Sequence, residues 1–557
     1  MINIFNFQVF KNRYHLTNFL ILLCLALIAS YVPFLGHFVN ISHDGVYHLA
    51  RFQQITEAFK AGEIPQVLNF KYVSPSSYSG VAINSFYPWI TGLIFIIPNL
   101  IFHNPLWAIA CGYVILNFIT LLSIHQLLTY LKVNGLALYT GIIIYEFNNF
   151  HMLDLYSRMA IGEVIAYAFF PLVILGLLMI EHHNKYVYLF LGLSLGLIIN
   201  THILSFIIAL ILVVIYGLII IFKRTDFKYK FIQLIKAGIT SFILGFYVIY
   251  NIIFISMNNG FLSPPKYITP LNPDNTLQAI LSNSLAEQQS AAWNLGAPVT
   301  ILLLSLFILS LFKSATAWKR WIIASAILFF IIFSWLPYNL IATSPIGLIQ
   351  FTARLLAIVV LLMAIGSSLF IQKGYLRWSS ITIINIFIIA VSLTATYNFH
   401  YNYLYQNTGG HVKLSSSNYY QTLETTHTFT DYLPTKNKQS KIVALNGVDF
   451  NKATIVSKTT TIDSVSFKIN SKSNQTITLP VALYKDLHYV IYTNGNKMSV
   501  SKSNIAAVKV KTGTNKIVVK SIGNYHLFAL IISLFSLIGL LLYIFWSYIK
   551  NYNEIML

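Results

Sequence analysis

The sequence is poor in charge and in cysteine. Only 9% of its 557 residues are Asp, Glu, Lys or Arg, whereas 56% are hydrophobic. Soluble proteins carry about 25% charged residues, so this composition excludes an ordinary soluble domain and indicates a protein embedded in a membrane. The two cysteines, Cys24 and Cys111, both lie in apolar runs, which excludes a disulfide framework and a CxxC metal or redox motif.

Nucleotide-binding motifs and acidic residues are scarce as well. We find no P-loop, GxGxxG or HExxH motif, which excludes the usual soluble nucleotide chemistry and zinc peptidases. Lys and Arg number 36 against 16 Asp and Glu, a net charge of +20. In a chain with repeated apolar spans, such an excess is typical of cytoplasmic anchoring charge and of an anionic environment outside the cell. We therefore expect no nucleic-acid partner.

Apolar segments near 20 residues long recur along the chain, and this is the length that crosses about 30 Å of hydrocarbon. Basic residues near span ends favour the cytoplasm, and KRTDFKYK (223–230) is the clearest such anchor. This register predicts a polytopic α-helical membrane protein with both termini in the cytoplasm. The first span is expected to be a retained signal anchor. The twelve predicted spans are 16–38, 106–131, 134–150, 165–181, 186–201, 203–222, 232–256, 298–312, 321–337, 354–371, 379–397 and 525–548.

One apolar stretch, 86–102, does not fit this count. Treating it as a span would move the basic clusters that follow it to the outside. It is also bounded by Pro88 and Pro98, residues that interrupt helices. We therefore assign it to a juxtamembrane or re-entrant segment within a long first outer loop, 39–105.

The region 398–523 has the pattern of strands. Apolar and polar residues alternate in it, and Asn494-Gly495 between two such runs is a strong hairpin signal. VKVKTGTNKIVVK (508–520) predicts a second hairpin. The expected domains are a membrane domain (1–397), an extracytoplasmic β-sandwich (398–523) and a last span with a cytoplasmic tail (524–557). The β region holds fifteen Lys and five Asp plus Glu, which indicates either a solvated surface or attraction to an anionic polymer or head group.

The first candidate site is ISHDGVYHLARFQQ (41–54), where the chain leaves the first span. Asp44 lies between His43 and His48, with Arg51 close behind. A helical pattern follows, so one interpretation is that Asp44 is the N-cap of a surface helix. The other is that Asp44 is a general base, or a carboxylate that orients an acceptor hydroxyl group or a metal.

The second candidate site lies at the outer edge of a span, where ionisable groups are unfavourable unless they are paired or used. Arg158 and Glu163 could pair with each other. Alternatively, Arg158 holds a phosphate and Glu163 has a catalytic or metal-orienting role. Asp154 is a weaker candidate, and Glu146 is expected to pair locally.

Three further residues lie in predicted outer loops. His202 is either an ordinary interfacial residue or a phosphate contact, and Lys266 is either a loop lysine or a phosphate contact. Arg354 enters a span from the outside, against both the topology rule and the helix dipole, which indicates a bound anion. Phosphate binding combined with acid–base chemistry at the outer face favours a lipid-phosphate-linked sugar as substrate, since nucleotide sugars are cytosolic.

Several motifs, in order along the chain, resemble a known family. The N-terminal span, the Asp that opens the first outer loop and the following Tyr-Pro resemble the GT-C class of membrane glycosyltransferases. Within that class, the chain resembles the bacterial YfhO-like proteins and the relatives described as 6-pyruvoyl-tetrahydropterin-synthase-related membrane proteins. The motifs that carry this likeness are YSRMAIGEVIAYAFFPL (156–172), IQFTARLL (349–356), DYLP (431–434) and YTNGNK…GTNKIVVK (492–520).

One motif departs from the family pattern, which is closer to Gln-Phe-Pro-Trp-Arg-Leu. Thr352 and Ala353 stand in place of Pro-Trp, while Gln350, Phe351 and Arg354 remain. These two substitutions keep the positive charge of Arg354, but the sequence does not determine the conformation of this loop.

The resemblance implies transfer of a sugar from a polyprenyl-phosphate donor to a cell-envelope glycopolymer, such as a teichoic acid or an exopolysaccharide. It implies Asp44 as the base or acceptor-orienting carboxylate, and Glu163 as the second acidic position. Some members of the class use Mg²⁺ or Mn²⁺, but a single Asp44 without a DxD pair favours a reaction without metal. The residues expected to contact substrate or phosphate are Arg158, Arg354, Lys266, His202, His43, His48 and Arg51.

Two other functions are compatible with a polytopic chain. A flippase or transporter of lipid-linked saccharides would place ionisable residues at mid-membrane and repeat its spans, and the sequence pattern favours neither feature. A non-catalytic envelope scaffold whose β region binds polymer is the third possibility.

Overall fold

The computed structural model describes most of the chain, and helices form most of what is described. The described residues are 13–73, 78–183, 187–223, 226–261, 267–286, 293–312, 316–402, 411–425, 432–435, 453–498 and 505–556.

The helices of this part of the chain are α1 (Arg13–Tyr31), α2 (His43–Lys60), α3 (Ile83–Phe86), α4 (Leu93–Ile101), α5 (Pro105–Tyr130), α6 (Gly135–Glu146), α7 (Asn149–Met152), α8 (Ile161–Glu181), α9 (Val187–Ile199), α10 (Ile203–Lys223), α11 (Phe227–Leu244), α12 (Phe246–Asn258), α13 (Pro273–Leu281), α14 (Ala297–Phe312), α15 (Ala317–Ile331), α16 (Leu356–Gln372), α17 (Trp378–Tyr397), α18 (Tyr419–Thr425) and α19 (Leu527–Met556). Short 3₁₀ turns lie at Val32–Phe34, Tyr338–Leu340, Pro345–Ile349 and Thr352–Leu355, and π-helical turns lie at Leu153–Ser157 and Asn398–Asn402.

The helices confirm an α-helical protein with apolar segments fit for a membrane. Within the described residues, seven helices are long and apolar enough to cross a bilayer, and the pair α11–α12, bent by 69°, adds an eighth span if counted as one. The other four predicted spans coincide with the shorter helices α6, α9, α14 and α15. The count of twelve spans stays a prediction.

The stretch 86–102 does not form one continuous helix. Its helical part, α4, has nine residues and reaches about 14 Å at 1.5 Å per residue, roughly half the hydrocarbon thickness. Phe95 on α4 stacks on Phe52 of α2, with ring centroids 6.0 Å apart. Helix α4 therefore packs on α2 and is too short to cross the hydrocarbon core alone, and a juxtamembrane or re-entrant segment at 86–102 stays a prediction.

The two most buried of the seven apolar spans each carry a candidate site residue, Glu163 or Arg354, in their first turn. The span from Ile161 to Glu181 is 89% buried within the protein, and the span from Thr352 to Gln372 is 78% buried. Small residues permit this close packing; a Cβ on Gly176 of α8, for example, would lie 3.0 Å from Leu191 of α9. Glu163 and Arg354 are thus placed at the starts of helices that the rest of the bundle surrounds.

The β-rich region before the last helix contains two antiparallel sheets that share one hydrophobic core. The larger sheet has the strand order β11-β10-β13-β8-β7, and the smaller one pairs β12 with β9. Elsewhere, β1 pairs with β5, β2 with β6 and β3 with β4. The strands are β1 (Phe38–Ile41), β2 (Gly260–Phe261), β3 (Ile268–Thr269), β4 (Gln350–Phe351), β5 (Val412–Ser415), β6 (Pro434–Thr435), β7 (Ala453–Thr460), β8 (Ser464–Ser471), β9 (Gln475–Ala482), β10 (Tyr489–Thr493), β11 (Asn496–Met498), β12 (Ile505–Val510) and β13 (Gly513–Ser521).

One of the two predicted hairpins is confirmed and the other is wrong. Asn494 and Gly495, both at positive φ, connect β10 to β11 as predicted. The segment 508–520 instead crosses from one sheet to the other, because β12 pairs with β9 whereas β13 pairs with β8 and β10. The side chain of Asn515 bonds the backbone N–H and carbonyl of Lys511 at this crossing, at 3.1 and 2.7 Å.

The β region packs directly on the segment 39–105, the predicted first outer loop. Val67, Phe70 and Val81 of that loop share the core of the two sheets. The backbone N–H of Val67 donates to the carbonyl of Asn524 at 3.0 Å, and the amide of Ala82 donates to the hydroxyl group of Tyr484 at 3.1 Å. The loop that carries Asp44 is therefore held by the β region as well as by the helices.

Close packing of α9 on α11 gives a test of the bundle. A Cβ on Gly192 would lie 2.5 Å from Cβ of Thr240 and 2.9 Å from the carbonyl oxygen of Ala237. We expect Gly192→Ala to destabilise the protein by about 1–3 kcal/mol through overpacking, measured as a lower apparent melting temperature in detergent.

Gly238→Ala on α11 is the matched control, since a Cβ there meets no atom within 4 Å. Alanine is favoured over glycine inside helices by about 1 kcal/mol, so this variant should melt no lower than the wild type. Equal melting temperatures for the two variants would contradict the packing of α9 on α11.

Candidate active site

Asp44 lies in the first turn of α2 and is not its N-cap, so the N-cap interpretation is wrong. The cap is Ser42, whose backbone is extended (φ −82°, ψ 176°) and whose Oγ accepts a hydrogen bond from the N–H of Gly45 at 3.2 Å. The Ser42 hydroxyl group also donates to the carbonyl of Arg158. The Asp44 side chain, which is 50% exposed, is therefore not engaged in capping.

Arg158 is surrounded by three carboxylates. It follows the π-helical turn Leu153–Ser157, which brings Asp154 and Arg158 to the same side, with Nη1 3.2 Å from Oδ1 of Asp154. Nη1 also lies 2.9 Å from Oε2 of Glu163, and Nε lies 3.3 Å from Oδ2 of Asp44. Pairing of Arg158 with Glu163, one of the two alternatives from the sequence, is thus present.

Glu163 also binds Arg354. Its Oε1 lies 2.8 Å from Nε and 2.7 Å from Nη2 of that arginine. Nη1 of Arg354 donates to the carbonyl of Ile349 and, at 3.1 Å, to Oε1 of Gln350. The sequence predicted an anion bound beside Arg354, and the carboxylate of Glu163 occupies that position.

The altered motif around Arg354 forms a 3₁₀ turn, Thr352–Leu355. The Thr352 hydroxyl group donates to the carbonyl of Ile332 and accepts from the N–H of Leu271 at 3.2 Å. These bonds tie the loop to two neighbouring segments, and the charge of Arg354 stays directed at Glu163.

Tyr87 connects the two buried histidines of the site. Its ring lies 5.6 Å from the ring of His48 and 5.9 Å from that of His202. Burial and the nearby carboxylates of Asp44 and Glu163 raise the pKa of Tyr87 to about 12. The hydroxyl group therefore remains a neutral donor at physiological pH.

Both histidines are held neutral. Burial, followed by the charge of Arg51, holds the pKa of His48 well below 6.5. Burial is also the main cause that lowers the pKa of His202 to about 4. Nδ1 of His48 accepts from Nε of Arg51 at 3.3 Å, and Nδ1 of His202 accepts from the N–H of Ser205 at 3.3 Å. In each neutral ring the proton is thus assigned to Nε2, which is a donor.

The remaining predicted contacts are placed differently. Arg51 is buried, and its Nη1 donates to the carbonyls of Tyr87 and Pro88 at 3.1 and 3.4 Å. Burial lowers its pKa to about 10, so it stays charged and fixes the Tyr-Pro segment. His43 is the first residue of α2, and Lys266 lies outside the described residues. Phosphate contacts of these three residues stay predictions.

The carboxylates of the site are not arranged as a metal-ligand set. In the part of the chain that the structure describes, no three His, Cys, Asp or Glu side chains converge in a way that could hold a metal ion. Asp44, Asp154 and Glu163 each contact the guanidinium of Arg158 instead. The three carboxylates of the cluster are therefore engaged by one guanidinium group, and a reaction without metal stays a prediction.

A second buried pair lies deeper in the protein. Oε2 of Glu146, at the end of α6, is 3.8 Å from Nε2 of His151, and both side chains are at most 1% exposed. The ring of His151 stacks on Tyr167 at 4.2 Å. The local partner expected for Glu146 is thus present, but this ionisable pair is internal rather than at the outer edge of the bundle.

Two contributors to the site received little weight in the sequence. Asp154 is a weaker candidate by sequence because a helix end also explains an isolated acidic residue, and no sequence signal marks the π-helical turn that brings it to Arg158. Tyr87 enters the sequence analysis only as part of the Tyr-Pro pair. An aromatic residue before proline is the available signal, since proline restricts the backbone of the residue that precedes it.

Comparisons with models of known families, with characterised proteins and with solved structures gave no match for this chain. The resemblance to GT-C glycosyltransferases therefore stays a prediction from the motifs.

The shared carboxylate gives a stability prediction. Glu163→Gln leaves two buried guanidinium groups without their common counter-charge, and breaking a buried ion pair from one side is worth about 3–5 kcal/mol. We expect a correspondingly large fall in melting temperature. Asp44→Asn should lower stability by at most about 1 kcal/mol, because the Asp44 side chain is half-exposed.

The double variant Glu163→Gln/Arg354→Gln checks the origin of that loss. Because it removes one charge of each sign, its destabilisation should be smaller than the sum of the two single effects. Simple additivity would mean that Glu163 and Arg354 do not interact in the folded protein.

The buried histidines give a pH prediction. The unfolded chain binds a proton on His202 near pH 6.5 and the folded chain only near pH 4. Stability from this residue is therefore complete above pH 6.5 and is lost as the pH falls, by about 1.4 kcal/mol per pH unit. We expect His202→Gln to show a shallower decline in melting temperature between pH 6.5 and 5 than the wild type.

His103→Gln, at an exposed position, is the control and should follow the wild-type profile. If the His202 variant also followed it, neutral burial of His202 would be refuted.

Proposed function

We propose that this protein is an inverting membrane glycosyltransferase that moves a sugar from a polyprenyl-phosphate donor to a cell-envelope glycopolymer. The observation that carries the proposal is the unequal setting of two carboxylates on one arginine. Asp44 is 50% exposed and touches the Arg158 guanidinium at 3.3 Å, whereas Glu163 is 9% exposed and shared by two arginines. The first can accept a proton, and the second keeps its charge and positions the arginines.

In the proposed reaction, Asp44 takes the proton of an acceptor hydroxyl group as the hydroxyl oxygen bonds to the anomeric carbon of the donor sugar. The bond between that carbon and the phosphate oxygen breaks, and its electron pair stays on the polyprenyl phosphate. Attack opposite the leaving phosphate inverts the anomeric configuration. Asp44 then returns the proton to solvent, which its half-exposed position permits.

Charge balance links the two halves of this step. Before reaction, three carboxylates (Asp44, Asp154 and Glu163) face two guanidinium groups. Protonation of Asp44 removes one negative charge beside Arg158 as the leaving phosphate gains one. The Nε–H of Arg158 can then bind the phosphate, and such electrostatic stabilisation is usually the largest catalytic contribution. The Nε2–H groups of His48 and His202 are the proposed neutral donors around the donor head group.

The proposal includes the membrane arrangement that the sequence predicts. Twelve spans place both termini in the cytoplasm, with Asp44 and a β-sandwich outside. The two sheets with one core support the β-sandwich part of this proposal. A cleft of about 510 Å³ between their edges supports a role in binding polymer. That cleft is lined by Lys509 and Lys511 beside the amides of Asn474, Asn494 and Asn496, groups suited to an anionic glycopolymer.

Transport of a lipid-linked saccharide is the second candidate, and one observation favours it. The pair Glu146–His151 is buried inside the helical bundle, where a transporter would place ionisable groups. We rank it below transfer because this pair does not explain the cluster of Asp44, Arg158, Glu163 and Arg354.

The decisive experiment supplies the purified protein with a polyprenyl-phosphate sugar and candidate acceptor polymers. We expect sugar transfer, and we expect Asp44→Asn to reduce kcat about 10²–10⁴-fold, the usual contribution of a general base, with little change in melting temperature. Unchanged turnover in this variant would remove Asp44 as the base. Lipid movement without transfer would favour the second candidate.

Asp274→Asn is the matched control. Asp274 is also the second residue of a helix, α13, and follows an N-cap side chain, Asn272. The same chemical change at the same helix position, away from Arg158, should leave transfer intact.

A further inference from the structure

A long apolar groove runs along the helices of the bundle, and one of its ends lies on the side opposite Asp44. It has a volume of about 950 Å³ and lies between α5, α8, α10, α15 and α16. Its walls are formed by side chains such as Ile215, Ile219, Ile327 and Leu362. Ile215 and Ile327 are about half-exposed, so the groove opens toward the surface that faces lipid.

Two cations, Lys132 and Arg320, lie at one end of this groove, together with His182. All three side chains are exposed. In the described part of the chain, no carboxylate is paired with Lys132 or Arg320. The one acidic residue there, Glu181, is already bound by Tyr216 and Lys230, each at 2.6 Å. The mouth of the groove therefore presents unneutralised positive charge beside an apolar channel.

The mouth is far from the arginine–carboxylate cluster. Helix α8 carries Glu163 at its start and Glu181 at its end. The two residues are eighteen positions apart, which corresponds to about 27 Å along the helix axis, close to the hydrocarbon thickness of a bilayer. A lipid phosphate at Lys132 and Arg320 would thus lie in the opposite leaflet from Asp44. A sugar donor held there could not react at the cluster.

We propose that this groove binds an anionic phospholipid of that opposite leaflet, with acyl chains along the apolar walls and the phosphate between Lys132 and Arg320. Charge complementarity selects an anionic over a zwitterionic lipid, and the distance from Asp44 selects a bulk membrane lipid over the glycosyl donor. The choice of a bulk lipid over the glycosyl donor rests on the proposed function, whereas binding of an anionic phospholipid in the groove does not.

Native mass spectrometry of the full chain tests the charge preference, with dioleoylphosphatidylglycerol and dioleoylphosphatidylcholine as probes. The wild type should prefer phosphatidylglycerol, and Lys132→Ala/Arg320→Ala should lose about thirtyfold of that preference, roughly fivefold for each cation. Lys373→Ala/Arg377→Ala removes two exposed cations outside the groove and is the matched control. It should keep the preference.

A second measurement does not depend on those variants. Trp321 lines the groove, so phosphatidylglycerol with brominated acyl chains in phosphatidylcholine nanodiscs should quench its fluorescence. The quenching is obtained as the difference between wild type and Trp321→Phe.

Five results would overturn the proposal, the first four from the measurements above. Those four are equal binding of the two lipids, an unaltered preference in the Lys132/Arg320 variant, an equal loss in the control, or no quenching of Trp321. Displacement of phosphatidylglycerol from the groove by polyprenyl phosphate at lower concentration would also overturn it, by assigning the groove to that lipid.

Discussion

The carboxylate of Glu163, shared between Arg158 and Arg354, is the interaction on which the arrangement of the site depends. It joins the start of α8 to the start of α16, and these spans are the most buried of the seven. A negative charge at a helix start is favoured by the helix dipole, whereas a positive one is not. Glu163 therefore makes the position of Arg354 tolerable and brings both guanidinium groups to one point.

The segment 39–105 is fixed onto this centre from several sides. The hydroxyl group of Ser42 donates to the carbonyl of Arg158, which joins the start of α2 to the turn before α8. Arg51 holds the carbonyls of Tyr87 and Pro88. The pairing of β1 with β5 ties the chain just before Ser42 to the start of the C-terminal region. Asp44 is consequently an exposed group on a rigid support, which a general base requires.

Local sequence patterns predicted the helices and the Asn494-Gly495 turn, because apolar run length and turn chemistry act over a few residues. The crossing between the two sheets at 508–520 could not be predicted from local patterns. Apolar and polar residues alternate along a strand in the same way whichever sheet the strand joins. Ser42 and Asp44 are both good capping residues, and only the extended backbone at Ser42 decides between them. The contact between Glu163 and Arg354 spans 191 residues, a separation at which no periodicity carries information.

The β region is attached to the bundle on both sides, by α17 before it and α19 after it, and it also packs on the first outer loop. A domain on one linker can swing through a wide arc, whereas this one has a fixed orientation. The span between its lysine-lined cleft and Asp44 is then a constant of the fold. For a polymer acceptor, such a constant acts as a ruler, since a chain seated in the cleft presents only units at one contour distance to the base. Spacing of substituents along a polymer would follow from this geometry alone.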